Sequence, residues 1–296
     1  MKQVGFIGIG VMGKGMIANL LQKGHRVYAY DASAEALRWA KEQGAQVVHS
    51  PAELGPGAQI VFSSLPGPEI VEEVMLGENG LFATLAPDSM VFDTSTIDPA
   101  TAQKLYAEAK QRGFHFFDCP VSGGPAGAKG GTLTIMVGGD SELLPAAMPY
   151  LQAIGRDIVH IGDAGSGQVA KLCHNAVVAS ITAALGEALL VARKAGVDPQ
   201  KVASVIESGS AHNRVLSIFG PNILYGTYSE TIFSLAHMHK DLKLYEHTAR
   251  KQQVPSFVGS TVFQLYEAAM AQGKGGWDSS AVCTVIEQLG QDSIAR

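Results

Sequence analysis

Three glycines near the start of the chain, Gly8, Gly10 and Gly13, stand at GxGxxG spacing within Gly5-Phe6-Ile7-Gly8-Ile9-Gly10-Val11-Met12-Gly13. Glycine-rich turns are common, so the context decides. The triplet follows an apolar run that reads as a strand (Val4–Ile9) and opens a helical pattern (Met12–Gln22). Asp31 closes the next strand-like run, Arg26–Tyr30, 18 residues beyond Gly13. In that setting backbone N–H groups at a helix N-terminus receive a pyrophosphate and a carboxylate accepts ribose hydroxyls. Gly8 permits the tight turn, Gly10 the close approach of the phosphates, and Gly13 the packing of helix on strand. The expected dinucleotide contacts are Gly8, Gly10, Val11, Met12, Gly13 and Asp31. A carboxylate at Asp31 repels a 2′-phosphate, and Ala32 and Ser33 offer no cation to one, so NAD is expected over NADP. The plainer alternative is an ordinary strand–turn–helix with Asp31 as a helix cap.

Three further stretches combine glycines with polar side chains: Asp118-Cys-Pro-Val-Ser-Gly-Gly through Gly131, Gly162-Asp-Ala-Gly-Ser-Gly-Gln-Val-Ala-Lys171-Leu-Cys-His-Asn175, and Lys240-Asp241-Leu242. With the N-terminal glycines, they make the chain resemble the β-hydroxyacid dehydrogenase family, which includes 3-hydroxyisobutyrate dehydrogenase and tartronate semialdehyde (2-hydroxy-3-oxopropionate) reductase. The resemblance spans essentially the whole chain, in the expected order. The family's substrate pattern DxPVSGGxxxAxxG falls on Asp118, Pro120, Val121, Ser122, Gly123, Gly124, Ala128 and Gly131. It implies that Ser122, Gly123 and Gly124 bind substrate; a hydroxyl beside bare backbone N–H groups suits a carboxylate. Without the other motifs, the same residues read as a glycine-rich turn between strands.

The resemblance makes Lys171 the catalytic residue and Asn175 its substrate-binding neighbour. The two are four apart on a predicted helix and share a face. The chemistry agrees: reducing a carbonyl builds negative charge on oxygen, which an ammonium stabilises and protonates. The resemblance further implies that Leu65, Pro66, Thr96 and Lys240 contact the cofactor, Thr96 and Lys240 toward the nicotinamide. Lys243, where a glycine is common, and Gly15, where many relatives have proline, depart from the pattern away from this chemistry. The Ser208–Arg214 loop is where substrate discrimination is expected; Arg214 suits a second carboxylate or equally an exposed surface. His237 and His239 read as packing or surface residues, and no metal is expected.

Positioning these residues requires an α/β scaffold. Strand candidates at Val4–Ile9, Arg26–Tyr30, Gln46–His49, Ile60–Ser64, Met90–Asp93, Phe114–Asp118, Leu133–Gly138 and Ile158–Ile161 alternate with helical stretches such as Ala34–Glu42, Pro68–Met75 and Ala100–Arg112. The alternation predicts an N-terminal Rossmann-type, doubly wound, mostly parallel sheet over residues 1–162. Residues 163–296 read as an all-α domain for substrate and oligomerisation, with helices at Gly167–Ala195, Pro199–Ser208, Leu235–Lys251, Pro255–Ala271 and Ser279–Leu289. A long helix joins the two.

A net charge of −5 gives no basic field for nucleic acid or an anionic membrane. Leu172–Ala192 is apolar but carries His174, Asn175 and Glu187, and reads as a helix buried all round in a soluble protein rather than a span. Three widely spaced cysteines and the absence of a signal-like start fit the cytoplasm. The function expected is NAD-dependent interconversion of a small hydroxy acid, through its primary alcohol, with the semialdehyde, by a homodimer or homotetramer. A decarboxylating dehydrogenase of the 6-phosphogluconate type and a non-catalytic dinucleotide-binding module are the alternatives.

Overall fold

The central strand segments Gln3–Ile7, Ile60–Ser63, Met90–Asp93 and His115–Asp118 are buried along nearly their whole length rather than alternately, the pattern of strands covered on both faces. The computed structural model describes residues 3–295. Among these, nine strands form one sheet: β1 (Gln3–Ile7), β2 (Arg26–Tyr30), β3 (Gln46–Val47), β4 (Ile60–Ser63), β5 (Met90–Asp93), β6 (His115–Asp118), β7 (Val121–Ser122), β8 (Leu133–Gly138) and β9 (Gly155–Gly162). Their order is β3-β2-β1-β4-β5-β6-β8-β7, with β9 also on β8. Pairing is parallel from β3 to β6 and between β8 and β9, and antiparallel where β8 meets β6 and β7.

One face of the central strands carries a phenylalanine ladder. Phe6, Phe62, Phe92 and Phe117 stand in register on β1, β4, β5 and β6, with ring centroids 6.2, 5.3 and 5.0 Å apart. All four are buried. Truncating such a ring to alanine costs about 3–5 kcal/mol, so the ladder fixes the register of the strands whose carboxyl ends matter below. Strand order reverses direction at β1, whose neighbours are β2 and β4. Crevices of this kind, beyond the carboxyl ends of the strands, receive ligands in open α/β sheets.

The predicted strands and helices of this half are present, with ends shifted by a few residues. The two-residue β7, the short helix Gly124–Gly130 and the helix Leu144–Ile154 lie outside the sequence expectation.

The chain divides into two compact units at Lys171/Leu172, inside the helix Ser166–Lys194. The second unit is helical: Pro199–Ser208, Arg214–Tyr225, Leu235–Lys251, Phe257–Ala271 and Cys283–Gly290 enclose a core that includes Leu189, Phe219, Ile223, Met238 and Tyr266. Side-chain caps start several of them: Asp198 on Gln200, Asn213 on Leu216 and Ser234 on His237. The helix Ser166–Lys194 is long and apolar enough to cross a membrane by length and composition, yet 56% of its most apolar stretch is buried within the fold. It is not buried all round as expected: Val177 and Val191 stand exposed, because its packing partners cover one side only.

Candidate active site

The three glycines meet three different constraints. Gly8 has φ +93°, and a Cβ there would lie 2.2 Å from the carbonyl oxygen of Ser64. At Gly13 a Cβ would lie 2.0 Å from the carbonyl oxygen of Gly8, so the helix Val11–Gln22 can sit against the turn only without a side chain. A Cβ at Gly10 would meet nothing within 4 Å. The protein itself therefore sets no steric demand for glycine at Gly10, and the bare backbone there is open to close approach. Val11 is exposed beside it and Met12 half-buried.

Asp31 turns one oxygen to this loop. Its Oδ2 accepts the N–H of Ile9 at 2.6 Å and its Oδ1 the N–H of Ser33 at 2.7 Å. The cap of the following helix is Ser33, whose hydroxyl accepts from Ala36, so the helix-cap alternative for Asp31 does not describe the fold. A glycine turn with open backbone at Gly10, a helix N-terminus and a carboxylate lie together at the carboxyl ends of β1 and β2, an arrangement that suits a dinucleotide.

The other expected residues of the first unit follow the neighbouring strands. Leu65 and Pro66 come just after β4. Thr96 lies in the loop after β5, where the Ser95 hydroxyl accepts the N–H of Leu65 at 2.8 Å and donates to Asp93 at 2.6 Å. Ser122 ends β7, and Gly123 and Gly124 take φ of +132° and +60°, which favour glycine. Gly123 caps the helix Gly124–Gly130. That helix packs tightly on the dinucleotide helix: a Cβ on Gly15 would lie 2.6 Å from the Ala128 carbonyl carbon, and Asn19 Nδ2 donates to the Ala128 oxygen at 2.7 Å. Gly15, which departs from the family pattern, is thus one of the points, with Asn19, where the helix of the glycine turn meets the helix of the Ser122 turn.

Lys171 sits in the second turn of Ser166–Lys194 and is 8% exposed. The start of that helix is held by Asp118, at the end of β6, whose carboxylate accepts the N–H groups of Gly165 and Gln168. Burial pushes the Asp118 carboxyl up to about 6; nearby Asp93 adds to the rise and the two N–H bonds oppose it.

Asn175, one turn beyond Lys171, belongs to the second unit. Its Nδ2 donates to Asp241 Oδ2 at 2.6 Å, its Oδ1 pairs with His174 at 2.9 Å, and Lys240 lies 3.0 Å from the other oxygen of Asp241. Asp241 therefore joins Asn175 and Lys240. Arg214 opens the helix Arg214–Tyr225 and is exposed, as is Lys243. His239 stacks on Phe263 and bonds Glu267, whereas His237 stacks on Phe233 and bonds Ser234. Sequence reasoning missed Asp118, Gln168 and Asp241 as working residues, although all three lie inside the stretches it singled out. For Asp118 the available signal was a carboxylate closing the apolar run Phe116-Phe117; Gln168 and Asp241 stand among polar and small residues and carried no such signal.

Two family models cover the chain. One, described as the NAD binding domain of 6-phosphogluconate dehydrogenase, matches residues 3–162, and one described as NAD-binding of NADP-dependent 3-hydroxyisobutyrate dehydrogenase matches residues 165–286. The chain is 39% identical over 287 residues to a probable mitochondrial 3-hydroxyisobutyrate dehydrogenase of Dictyostelium discoideum, covering 95% of this chain and 89% of that one. It is 36% identical to the NAD-dependent L-serine dehydrogenase of Pseudomonas aeruginosa, over 95% of this chain and 97% of that one. Among solved structures, the 3-hydroxyisobutyrate dehydrogenase of Mycobacterium tuberculosis with L-serine matches with a TM-score of 0.87 and 32% identity, covering 97% of this chain and 99% of that one.

Proposed function

The chain belongs to the β-hydroxyacid dehydrogenase family, and from that premise we propose how its residues divide the work. It is an oxidoreductase that carries an NAD(P)-binding domain and acts on a small hydroxy acid. Our reading is NAD-dependent interconversion of a primary alcohol on the hydroxy acid with the semialdehyde, with residues 1–162 holding the dinucleotide and 163–296 the helical substrate and oligomerisation domain.

The reading is supported most by one convergence. Gly8–Gly13, Asp31, Leu65 and Thr96 follow the carboxyl ends of the neighbouring strands β1, β2, β4 and β5, and Ser122 closes β7. Gly8, Gly10, Val11, Met12 and Gly13 cradle the pyrophosphate, Asp31 accepts the ribose hydroxyls, and Leu65, Pro66, Thr96 and Lys240 line the rest of the cofactor. When bound, the nicotinamide supplies or accepts the hydride. Ser122, Gly123 and Gly124 hold the substrate carboxylate by hydroxyl and N–H donors. Lys171 donates a hydrogen bond to the carbonyl oxygen, stabilises charge there and yields a proton in reduction, taking it back in oxidation. Asn175 orients the substrate.

NAD is preferred because Asp31 meets any 2′-phosphate with like charge. Exposed Val177, Val191, Phe257, Val258 and Leu289 support self-association into a homodimer or homotetramer. Three unbridged cysteines, Cys119, Cys173 and Cys283, support a reducing compartment such as the cytoplasm.

The test is a screen of short hydroxy acids and semialdehydes with NAD and NADP, followed by absorbance of the reduced nicotinamide. At least one pair should turn over with higher kcat/KM for NAD, and Asp31→Ser with Ala32→Arg should shift preference toward NADP. A wild-type enzyme that favours NADP overturns the role given to Asp31.

A further inference from the structure

Asp118 and Gln168, both fully buried in the first unit, have no part in the reading above, yet they bond to what it relies on. Asp118 Oδ1 accepts the N–H of Gly165 at 2.7 Å and Oδ2 that of Gln168 at 2.9 Å. One carboxylate thus grips the turn before the helix Ser166–Lys194 and that helix's third residue. Gln168 spends both ends of its amide on the loop after β5: Oε1 accepts the N–H of Ile97 at 3.0 Å and Nε2 donates to the carbonyl of Ser95 at 2.9 Å. These residues flank Thr96. Lys171 follows Gln168 by three residues, about 4.5 Å along the helix axis.

This is more than a helix start requires. A single local serine or aspartate side chain caps most N-termini. Here the acceptor comes from a strand 50 residues away in sequence, and ordering a buried glutamine costs rotamer entropy. The surroundings are shaped to the carboxylate: a Cβ on Gly138 would lie 2.4 Å from Asp118, and one on Gly167 2.8 Å from it.

We infer that Asp118 and Gln168 are positioning residues for the reaction, fixing the height and rotation of the Lys171 turn against the Thr96 loop so that the two move as one piece. The inference rests on the roles proposed above for Lys171 and Thr96. Misplacement of reacting groups by about 1 Å costs on the order of 10²-fold in rate, so a clamp on both elements has a catalytic consequence without touching substrate.

Gln168→Leu and Gln168→Glu test it, read by single-turnover rate, melting temperature and affinity for ADP-ribose. That ligand ends before the nicotinamide, and its pyrophosphate and adenine-side ribose are the parts assigned above to the glycine loop and Asp31. Gln168→Leu is expected to slow the chemical step by about 10- to 100-fold, with ADP-ribose affinity within about twofold of wild type. Gln168→Glu adds a pH signature. An ionised carboxylate has no donor for the Ser95 carbonyl, whereas a protonated one presents a hydroxyl and a carbonyl in the pattern of the amide.

The titratable and charged groups tied to that position are Asp118 on β6, whose carboxylate accepts the Gln168 N–H, Asp93 on β5, which accepts the Ser95 hydroxyl, and the thiol of Cys119 next to Asp118, which burial keeps protonated; Lys171 stands on the next turn of the same helix. Burial and two neighbouring acids raise the pKa of a carboxyl. The rate of Gln168→Glu relative to wild type should therefore climb at least about fivefold from about pH 8 to about pH 6. A residue that served folding alone would leave that ratio flat. Rates for both variants within about twofold of wild type at every pH, beside an inactive Lys171→Ala, overturn the positioning role and leave the proposed function standing. A Lys171→Ala enzyme with wild-type turnover overturns the function reading, and the clamp with it. Should Gln168→Leu fail to fold, the pH ratio of Gln168→Glu decides alone.

Discussion

At Lys171 the fold keeps an ammonium in a position only 8% exposed. Lysine is among the residues least often buried, because taking its charge out of water is costly unless the charge is paired. Lys171→Ala should lower kcat by about 10²–10⁴-fold while cofactor affinity holds. Lys171→Arg should fail nearly as badly, since guanidinium keeps the charge but does not release its proton at working pH. Stopped-flow single turnovers measure the chemical step free of product release. Asp118 offers a second test, on stability. Its carboxyl is raised from 3.8 to about 6, burial being the main cause, so between those values the folded state holds more protons than the unfolded one. Its contribution to stability is fully present below the lower value and is lost as pH rises through about 6. Urea unfolding of wild type and Asp118→Asn should diverge across that window by at most about 1.4 kcal/mol per pH unit, wild type falling relative to the variant as pH rises. Parallel curves would contradict the assignment.

The turn between β1 and its helix separates two glycines of equal prominence in sequence. Gly13→Ala drives a Cβ to 2.0 Å from a backbone oxygen and should destabilise the fold by about 1–3 kcal/mol. Gly10→Ala meets open space and should change stability by less than about 1 kcal/mol, yet weaken cofactor binding at least about tenfold, or about 1.4 kcal/mol. Thermal melts paired with calorimetric titration separate the two; equal loss of stability in both would mean that Gly10 faces protein rather than ligand. Most long elements were legible because their apolar periodicity is local. The helices outside the expectation each hide that period. Pro149 sits inside Leu144–Ile154 and Pro221 inside Arg214–Tyr225, and Gly124–Gly130 is seven residues of mainly glycine and alanine. Only packing, such as Gly15 against Ala128, accounts for a helix of that composition.

Each compact unit has a buried core of its own, the first built on the sheet and the second on Leu189, Phe219, Met238 and Tyr266. With the dinucleotide assigned mainly to the first, NAD at about 100 times its Kd should stabilise that unit by about 2.7 kcal/mol. Hydrogen exchange should show slower exchange around Gly8–Gly13, Leu65 and Ser95–Ile97, and little change in Pro199–Ser208 and Cys283–Gly290, which carry no assigned residue. Protection rising only in those helices would contradict the division of labour. Light scattering should give a mass of two or four copies of the 31.1 kDa chain; a monomer at micromolar concentration would remove the role given to Phe257 and the other exposed apolar side chains.

By itself the sequence determined the α/β class, the glycine turn with Asp31, the change to helices after Gly162, and the stretches carrying Ser122, Lys171 and Lys240. Each depends on residues close together in the chain, where spacing and hydrophobic period translate directly into local geometry. Tertiary structure alone decided that Asp118 and Gln168 tie the Lys171 helix to the Thr96 loop, that Asp241 joins Asn175 to Lys240, and that Asn19 and Gly15 seat the helix following Ser122. Most of those contacts join residues tens of positions apart, each a polar group that finds its partner only when the chain is folded. No local pattern encodes which buried carboxylate will meet which distant N–H, because burial cuts each group off from water and leaves it only the partners that the fold as a whole brings to it.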